Sequence, residues 1–417
     1  MDLVQREIKK NKQSKMKLVK ETKYTYKDLY IVPSAVSDID SREECTPFYS
    51  NGMLPLFTAP MTTVVGIENY KLFEQNGIHS ILPRPVSLDD RLYAIRNGYW
   101  AAFSLNEFEE LFMNGSPDKY ERPIHVLVDI ANGHMRKLFD DVKKKKKKWG
   151  NKIVIMIGNI ANPKAYEYVA ECGADYVRLG IGGGFGCITT TQTGVHYPMA
   201  SLILDTIEVK KDIIKRHLDL CGSNEFQKHL EFVSKLPRIV ADGGIRNFDD
   251  ICKALALGAD YVMIGSLFSR MYESTGTKFY ETDKGLQKFP EECFENLRCE
   301  NDEIWYGDYK DKEYESLFKD ITNKLEKKNH KIGKLYKTYY GMASKKGQID
   351  LKGKKEQISE GTIKTIKIEY TMEKWVKRCI HYLRTAMSYT DCETIDEFKI
   401  KPKLIVGSSN AIFAVNK

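Results

Sequence analysis

The sequence predicts a closed (β/α)₈ barrel, the TIM barrel arrangement, on three observations. Eight short apolar runs carry β-branched or aromatic residues and end in Gly, Pro, Asn or Asp. Helix-length segments with readable ends separate several of them, and one strand unit occurs twice. Alternating strands and helices point to a parallel sheet, and eight strands favour closure over the alternative, an open doubly wound sheet.

In chain order the strand runs are LPLF from Leu54, HSIL from His79, YWAAF from Tyr99 and HVLVD from His125. IVIMI from Ile153, DYVRL from Asp175, RIVAD from Arg238 and DYVMI from Asp260 complete the set. Asn162-Pro163 reads as an N-cap followed by Pro at the first helical position, with Gly173 as the stop. Asn247 caps a helix that carries Ile251, Ala254 and Leu255 and stops at Gly258. GADYVRLG (Gly173 to Gly180) and GADYVMIG (Gly258 to Gly265) repeat one unit of helix stop, buried strand and glycine turn. Val376, Ile380, Leu383 and Met387 recur on one face of a late helix that packs on the barrel.

Composition sets outer bounds. The 417 residues suffice for one large barrel or two ordinary domains, and 42% hydrophobic with 29% charged residues reads as a soluble globular chain. No apolar stretch reaches bilayer length, and the lysine-rich N-terminus lacks the apolar core of a signal peptide, so no membrane partner is expected. Nine cysteines without a C-x-x-C pair suggest neither a zinc site nor a disulfide framework, and a cytoplasmic location. The net charge of +8 gathers in Lys143 to Lys148 and in the first twenty residues, without interleaved aromatics. That pattern argues against a nucleic-acid partner, whereas a positive field suits a small phosphate-bearing ligand.

In a barrel, chemistry belongs to the loops at the C-terminal strand ends. Here these hold Ala59 to Thr63, Arg84, Asp129 to Gly133, Gly158-Asn159, Asp242 to Gly244 and Gly265-Ser266. The longest is GIGGGFGCITTTQTGVHYP, from Gly180 to Pro198. Each alone is ordinary turn chemistry; their coincidence at so many strand ends marks a site. Cys187 in that glycine-rich loop is either a small filler or a nucleophile held within reach of a ligand.

With Y-G-M (Tyr340 to Met342) and S-E-G (Ser359 to Gly361), these motifs resemble the IMP dehydrogenase and GMP reductase family from about Val32 to the C-terminus. V-D-I-A-N-G, G-N-I and T-G-V-H-Y-P are similar to its reductase branch. The dehydrogenases carry an Arg-Tyr pair on a mobile flap, and no such dipeptide follows Met342. Their paired regulatory modules of CBS type do not fit between Arg84 and His125.

The resemblance implies one catalytic barrel domain over residues 32–417 behind a basic extension, residues 1–31. Inserts at about 205–237 and 277–334 are expected near the C-terminal face. The first contains VKKDIIKRHLDL; the second carries Trp305, Tyr306, Tyr309 and Tyr314, and its Cys293 and Cys299 lack metal-ligand spacing. The implied reaction is NADPH-dependent reductive deamination of GMP, or a related guanine nucleotide, to IMP and ammonia. Cys187 would form a thioimidate at C2 of the purine, Thr189 would relay a proton, and Glu360 would hold or supply it.

For the nucleotide, the resemblance implies Met61, Asp242, Gly243, Gly244, Gly265, Ser266, Gly341, Met342 and Ala343. Asp242 would take ribose hydroxyls, and the glycine and serine N–H groups would take the phosphate. Cofactor contacts would come from Arg84, Asp129, Ile181, Gly182, Gln357, Ser359 and Gly361. A potassium ion (K+) would sit on main-chain carbonyls of Gly182, Gly184, Cys187 and Thr190, and the assembly would be a homotetramer. Three positions depart from the family: Thr62 stands for a usual Asp, Gln357 for a common Arg, and Ala343 for a frequent Ser. The rival readings are an IMP dehydrogenase using NAD and a non-catalytic purine-nucleotide-binding protein.

Overall fold

Strand pairing closes the sheet into a ring. A computed structural model describes residues 21–221, 226–282, 285–288, 297–300, 303–306, 330–331, 335–352 and 358–408. Its parallel strands are β1 (Leu56–Thr58), β2 (Ile81–Leu82), β3 (Trp100–Phe103), β4 (Ile124–Asp129), β5 (Ile153–Ile160), β6 (Tyr176–Leu179), β7 (Arg238–Asp242) and β8 (Tyr261–Ile264). Each neighbour pairs in sequence, and β8 returns to β1 with Phe57 opposite Met263. The last gap closes where the Thr58 N–H donates to the His79 carbonyl at 2.8 Å and the His79 N–H to Leu56 at 3.1 Å. Every strand run read from the sequence overlaps one of these eight strands, and the open sheet is excluded.

The helices follow in alternation. They are α1 (Tyr70–Gln75), α2 (Leu88–Arg96), α3 (Leu105–Asn114), α4 (Arg136–Trp149), α5 (Ala165–Cys172), α6 (Thr189–Thr193), α7 (Met199–Cys221), α8 (Phe226–Ser234) and α9 (Phe248–Ala256). Asn247 caps α9 as expected, through a reciprocal box with Asp250. The start of α5 falls two residues later than Asn162-Pro163 suggested: the Asn162 side chain accepts from the Lys164 N–H at 3.0 Å, capping a turn that leads into the helix. Between Arg84 and His125 the chain holds only α2, β3, α3 and a single 3₁₀ turn.

Side chains from alternate strand positions fill the barrel. Phe57, Trp100, Met156, Val240 and Tyr261 form its interior cluster, with Trp100 edge-on to Phe57 at 5.5 Å between ring centres. The outward residues, such as Ile157, Val177 and Ile239, belong to the larger core shared with the helices. The repeated GADYV units have a common physical job. Asp175 accepts the Ile155 N–H at 2.7 Å and Asp260 the Ile239 N–H at 2.8 Å, so each clips the start of the preceding strand. Lys146 and Lys399 neutralise them at 2.9 and 3.0 Å.

Beyond β8 the chain builds an antiparallel ribbon: β9 (Lys278–Thr282), β10 (Gly285–Lys288), β11 (Leu335–Tyr340) and β12 (Ile363–Lys367), in the order β10-β9-β11-β12. The ends of the second insert thus join the strands that flank Y-G-M and S-E-G; Cys293, Tyr309 and Tyr314 lie outside the described residues. The first insert departs from its expected place near the C-terminal face. It continues α7 down the outside of the barrel, and Lys210 comes within 3.9 Å of Asp260, just before β8 begins. A helix of 23 residues is longer than these strands need and overshoots toward their N-terminal ends. Of residues 1–31, the described part packs on the barrel: Tyr26 is buried beneath Gly244, and Leu29–Val32 pairs with Lys403–Val406.

The late helix α10 (Lys345–Lys352) is followed by α11 (Met372–Tyr389), whose buried face holds Trp375, Val376, Cys379, Leu383 and Met387. Trp375 meets Phe268 edge-on at 4.8 Å and Phe248 at 5.3 Å, locking α11 to α9 and to the end of β8. Trp375→Ala should therefore lower unfolding free energy by about 3–5 kcal/mol, read from a urea titration of the full chain.

Candidate active site

Loops from the C-terminal ends of the strands and two segments of the ribbon enclose a cavity of about 260 Å³. The site is organised around the loop after β6. Cys187 is half-buried there, its N–H donating to the Gly184 carbonyl at 3.1 Å. Its thiol donates to Thr189 Oγ1 at 3.3 Å, and the Thr189 hydroxyl donates to Glu360 Oε2 at 2.9 Å. Thiol, hydroxyl and carboxylate form one directed line.

Main-chain bonds hold that line together. The Ile188 N–H donates to the Glu360 carbonyl at 2.9 Å, the Thr362 N–H to Gly186 at 2.9 Å, and the Glu360 N–H to Ala343 at 3.0 Å. S-E-G therefore lies between the cysteine loop and Y-G-M. A side chain at position 361 would bring its Cβ within 2.9 Å of the Ser344 nitrogen, so only glycine permits this approach. Lys337 on β11, fully buried, anchors the ribbon from below. It donates to the Thr63 carbonyl at 2.9 Å, Ser274 Oγ at 2.7 Å and the Thr275 carbonyl, tying the β1 and β8 loops to the strand that leads into Tyr340. Burial pushes its ammonium well below the ordinary lysine range.

The opposite wall carries charge. Arg178, on β6 and pointing into the barrel mouth, donates through Nε to Asp242 Oδ2 at 2.8 Å and through its terminal nitrogen to Asp129 Oδ1 at 2.6 Å. Asn159 adds a bond to Asp242 Oδ2 at 2.7 Å and another to the Gly180 carbonyl at 2.7 Å. Burial opposes the guanidinium's charge, but the Asp242 and Asp129 carboxylates outweigh it and hold its pKa above the ordinary range. Both bonds to Asp242 fall on Oδ2, and Oδ1 takes none among the described residues, leaving an acceptor for a ligand hydroxyl.

Most residues singled out in the sequence meet at this cavity. Cys187, Thr189, Glu360, Met61, Asp129, Ile181, Gly182, Gly184, Asp242, Gly243, Gly244, Gly265, Ser266, Gly341, Met342, Ala343 and Gly361 all line it. The Gly244 N–H is already spent on the Gly183 carbonyl at 3.0 Å. Arg84, Thr190 and Ser359 stand behind the wall. Arg84 reaches the Asp129 carbonyl at 3.4 Å, Thr190 Oγ1 bonds to Val195, and Ser359 Oγ bonds to Gly361. Gln357 lies outside the described residues. Thr62 directs its hydroxyl to that of Tyr340 at 3.5 Å, which in turn donates to Asp350 at 2.8 Å.

Two absent groups can be tested against these surroundings. Gly182, at φ +77°, packs directly on Thr190, and Gly184 on Cys187, while the Gly184 carbonyl accepts the Cys187 N–H and the Thr190 carbonyl the Gly194 N–H. Arg84 Nε is buried with no partner, next to the Asp129 wall where a dinucleotide's donors and acceptors are expected. The donor left open at Arg84 fits a dinucleotide, and the cation site rests on the family resemblance. Sequence reasoning missed Arg178, Tyr339 and Arg246, all lining the cavity. The signal for Arg178 was available: a charged residue at an inward position of an otherwise apolar strand. Tyr339 is buried; burial and the carboxylate of Asp242 push its hydroxyl up to about 12 against the opposing charge of Arg246.

Removing Arg178 would leave two partly buried carboxylates without their shared cation. Arg178→Met should cost about 3–5 kcal/mol in a denaturant titration, and Arg178→Lys, which cannot span both acids in one plane, should recover only part of it.

Among the described residues no helix is long and apolar enough to cross a membrane. The model of the IMP dehydrogenase / GMP reductase domain matches residues 122–292, from β4 through the start of the ribbon. A GMP reductase of Staphylococcus epidermidis strain RP62A is 31% identical over 265 residues, covering 61% of this chain and 73% of that one. One from Exiguobacterium sp. strain AT1b is 29% identical over 279 residues, covering 64% and 76%. One from Clostridium acetobutylicum is 28% identical over 411 residues, covering 94% of this chain and 98% of its own. With the cysteine loop, the acid pair and the S-E-G carboxylate in one cavity, the chain belongs to the IMP dehydrogenase / GMP reductase family.

Proposed function

We propose that the protein is a GMP reductase, an oxidoreductase that converts GMP, or a closely related guanine nucleotide, to IMP and ammonia with NADPH. The observation that carries the reading is the directed line from the Cys187 thiol through Thr189 to Glu360, at 3.3 and 2.9 Å.

The hydrogen-bond directions suggest how one relay serves two steps. The Cys187 proton passes to Thr189 as the threonine proton passes to Glu360, which leaves a thiolate and a protonated carboxyl. The thiolate adds to C2 of the guanine ring. The same relay run backwards then protonates the departing amine, so that ammonia leaves and a thioimidate links Cys187 to the purine. Asp129, Ile181, Gly182 and Gly361 would hold NADPH, which would supply a hydride for C2, and Cys187 would leave as the thiolate when the carbon–sulfur bond breaks. Asp242 would hold the ribose through Oδ1, while Arg178 fixes that carboxylate through Oδ2. Carbonyls of Gly182, Gly184, Cys187 and Thr190 would hold a monovalent cation, whose charge would stiffen the loop beneath the nucleophile. The homotetramer rests on the family resemblance alone, and light scattering reads it directly.

The test is oxidation of NADPH by GMP with ammonia assayed alongside. Matched loss of NADPH and release of ammonia and IMP supports the proposal; reduction of NAD by IMP with no GMP reaction would replace it with a dehydrogenase. Cys187→Ser should lower kcat by about 10³-fold or more, and Glu360→Gln by about 10²–10⁴-fold. Unchanged function in Cys187→Ala would instead favour a non-catalytic nucleotide-binding protein.

A further inference from the structure

Next to the glycine turn after β7 the cavity holds a guanidinium with no carboxylate of its own. Arg246 follows Gly243-Gly244-Ile245 and lines the cavity. Its charge centre lies 5.0 Å from the middle of the Phe185 ring, and its one polar contact among the described residues is a long one, 3.5 Å to the Gly183 carbonyl. Asp250, four residues on, does not pair with it: its Oδ2 is taken by the main-chain N–H groups of Arg246 and Asn247, at 2.7 and 3.1 Å. Burial pushes the guanidinium below its ordinary range; Tyr339 and Asp250 offset this in part, and Arg270 adds to it. A half-buried cation left in this state is costly unless a ligand brings the anion.

The surroundings name that anion. Loops after the seventh and eighth strands of a barrel are the recurrent phosphate site, and Gly243, Gly265 and Ser266 occupy it here. One amide of the set is missing, because the Gly244 N–H is bonded to Gly183. Arg246 stands where it can replace that donor, with a planar fork that matches phosphate oxygens. Phe185 braces the fork from a fixed position: Lys364 donates to its carbonyl at 3.0 Å and sits 3.8 Å from its ring centre, and Tyr339 packs on the ring at 5.7 Å.

We propose that Arg246, braced on Phe185, reads the phosphomonoester of the substrate and sets the preference for nucleotide over nucleoside. The proposal rests on the guanine-nucleotide reading above. It is tested by titrating the full-length protein, Arg246→Met and Arg246→Lys with GMP, guanosine and ribose 5-phosphate in a calorimeter. Arg246→Met should weaken GMP by about 10- to 100-fold, remove ribose 5-phosphate binding and leave guanosine unchanged, with Arg246→Lys intermediate. Unchanged guanosine affinity also certifies that the variant is folded. Equal losses for GMP and guanosine, or no loss for GMP, would overturn the assignment. Should the unaltered protein bind ribose 5-phosphate through Arg246 but neither guanine compound, the arginine's role stands and the guanine reading falls. Should it bind GMP with an affinity indifferent to Arg246, the reverse holds.

Discussion

The mouth of this barrel is organised by one cation shared between two acids. Arg178 rises from β6 and joins Asp129 at the end of β4 to Asp242 at the end of β7, with Asn159 of β5 completing the set. Four strand ends are thereby fixed against one another by bonds of known direction, in a region where apolar packing has given way to a cavity. Two carboxylates facing one small space would repel each other; the guanidinium between them bonds to both and holds them in place. Every surface a nucleotide or dinucleotide would touch on that side is set by this arrangement. The rim on the other side can then be built from loops with little packing of their own.

That other rim comes from outside the repeating barrel. Cys187 belongs to the loop after β6, whereas Glu360 arrives on the ribbon that follows β8. Main-chain bonds between Ile188 and Glu360 and between Gly186 and Thr362 knit the two together, and the buried ammonium of Lys337 pins the ribbon to the β1 and β8 loops. The scaffold therefore gives the thiol its position, and the ribbon brings Glu360 to the far end of its hydrogen-bonded line.

Much of this was legible in the chain. Strands were visible because each is a short apolar run with a turn residue at its end, and the cysteine loop because glycine is dense only where backbones crowd. The repeated GADYV units even exposed the aspartates that clip neighbouring strands, Asp175 and Asp260. What the repeat also contained, without announcing it, was its one chemical break: Arg178 stands where the second copy has Met263. Its meaning depends on partners 49 and 64 residues away, brought together by sheet register that no local pattern records. The same limit hid Arg246, whose significance lies in the carboxylate it lacks. It also misjudged the first insert, because helix-forming residues do not say toward which end of a barrel a helix will run.

The ribbon's late place in the chain has a consequence for the life of the protein before it is complete. Cys187 and Glu360 are linked through Thr189, which lies 171 residues from the glutamate. During synthesis the eight-stranded ring, complete by Ile264, emerges well before the S-E-G segment does. A nascent chain therefore carries Cys187 before Glu360 has been made and before α11 arrives to pack on α9. The line from Cys187 through Thr189 to Glu360 can close only after the last stretches of the chain have joined the ring, so the most intimate contact of the cavity is also among the last that synthesis permits.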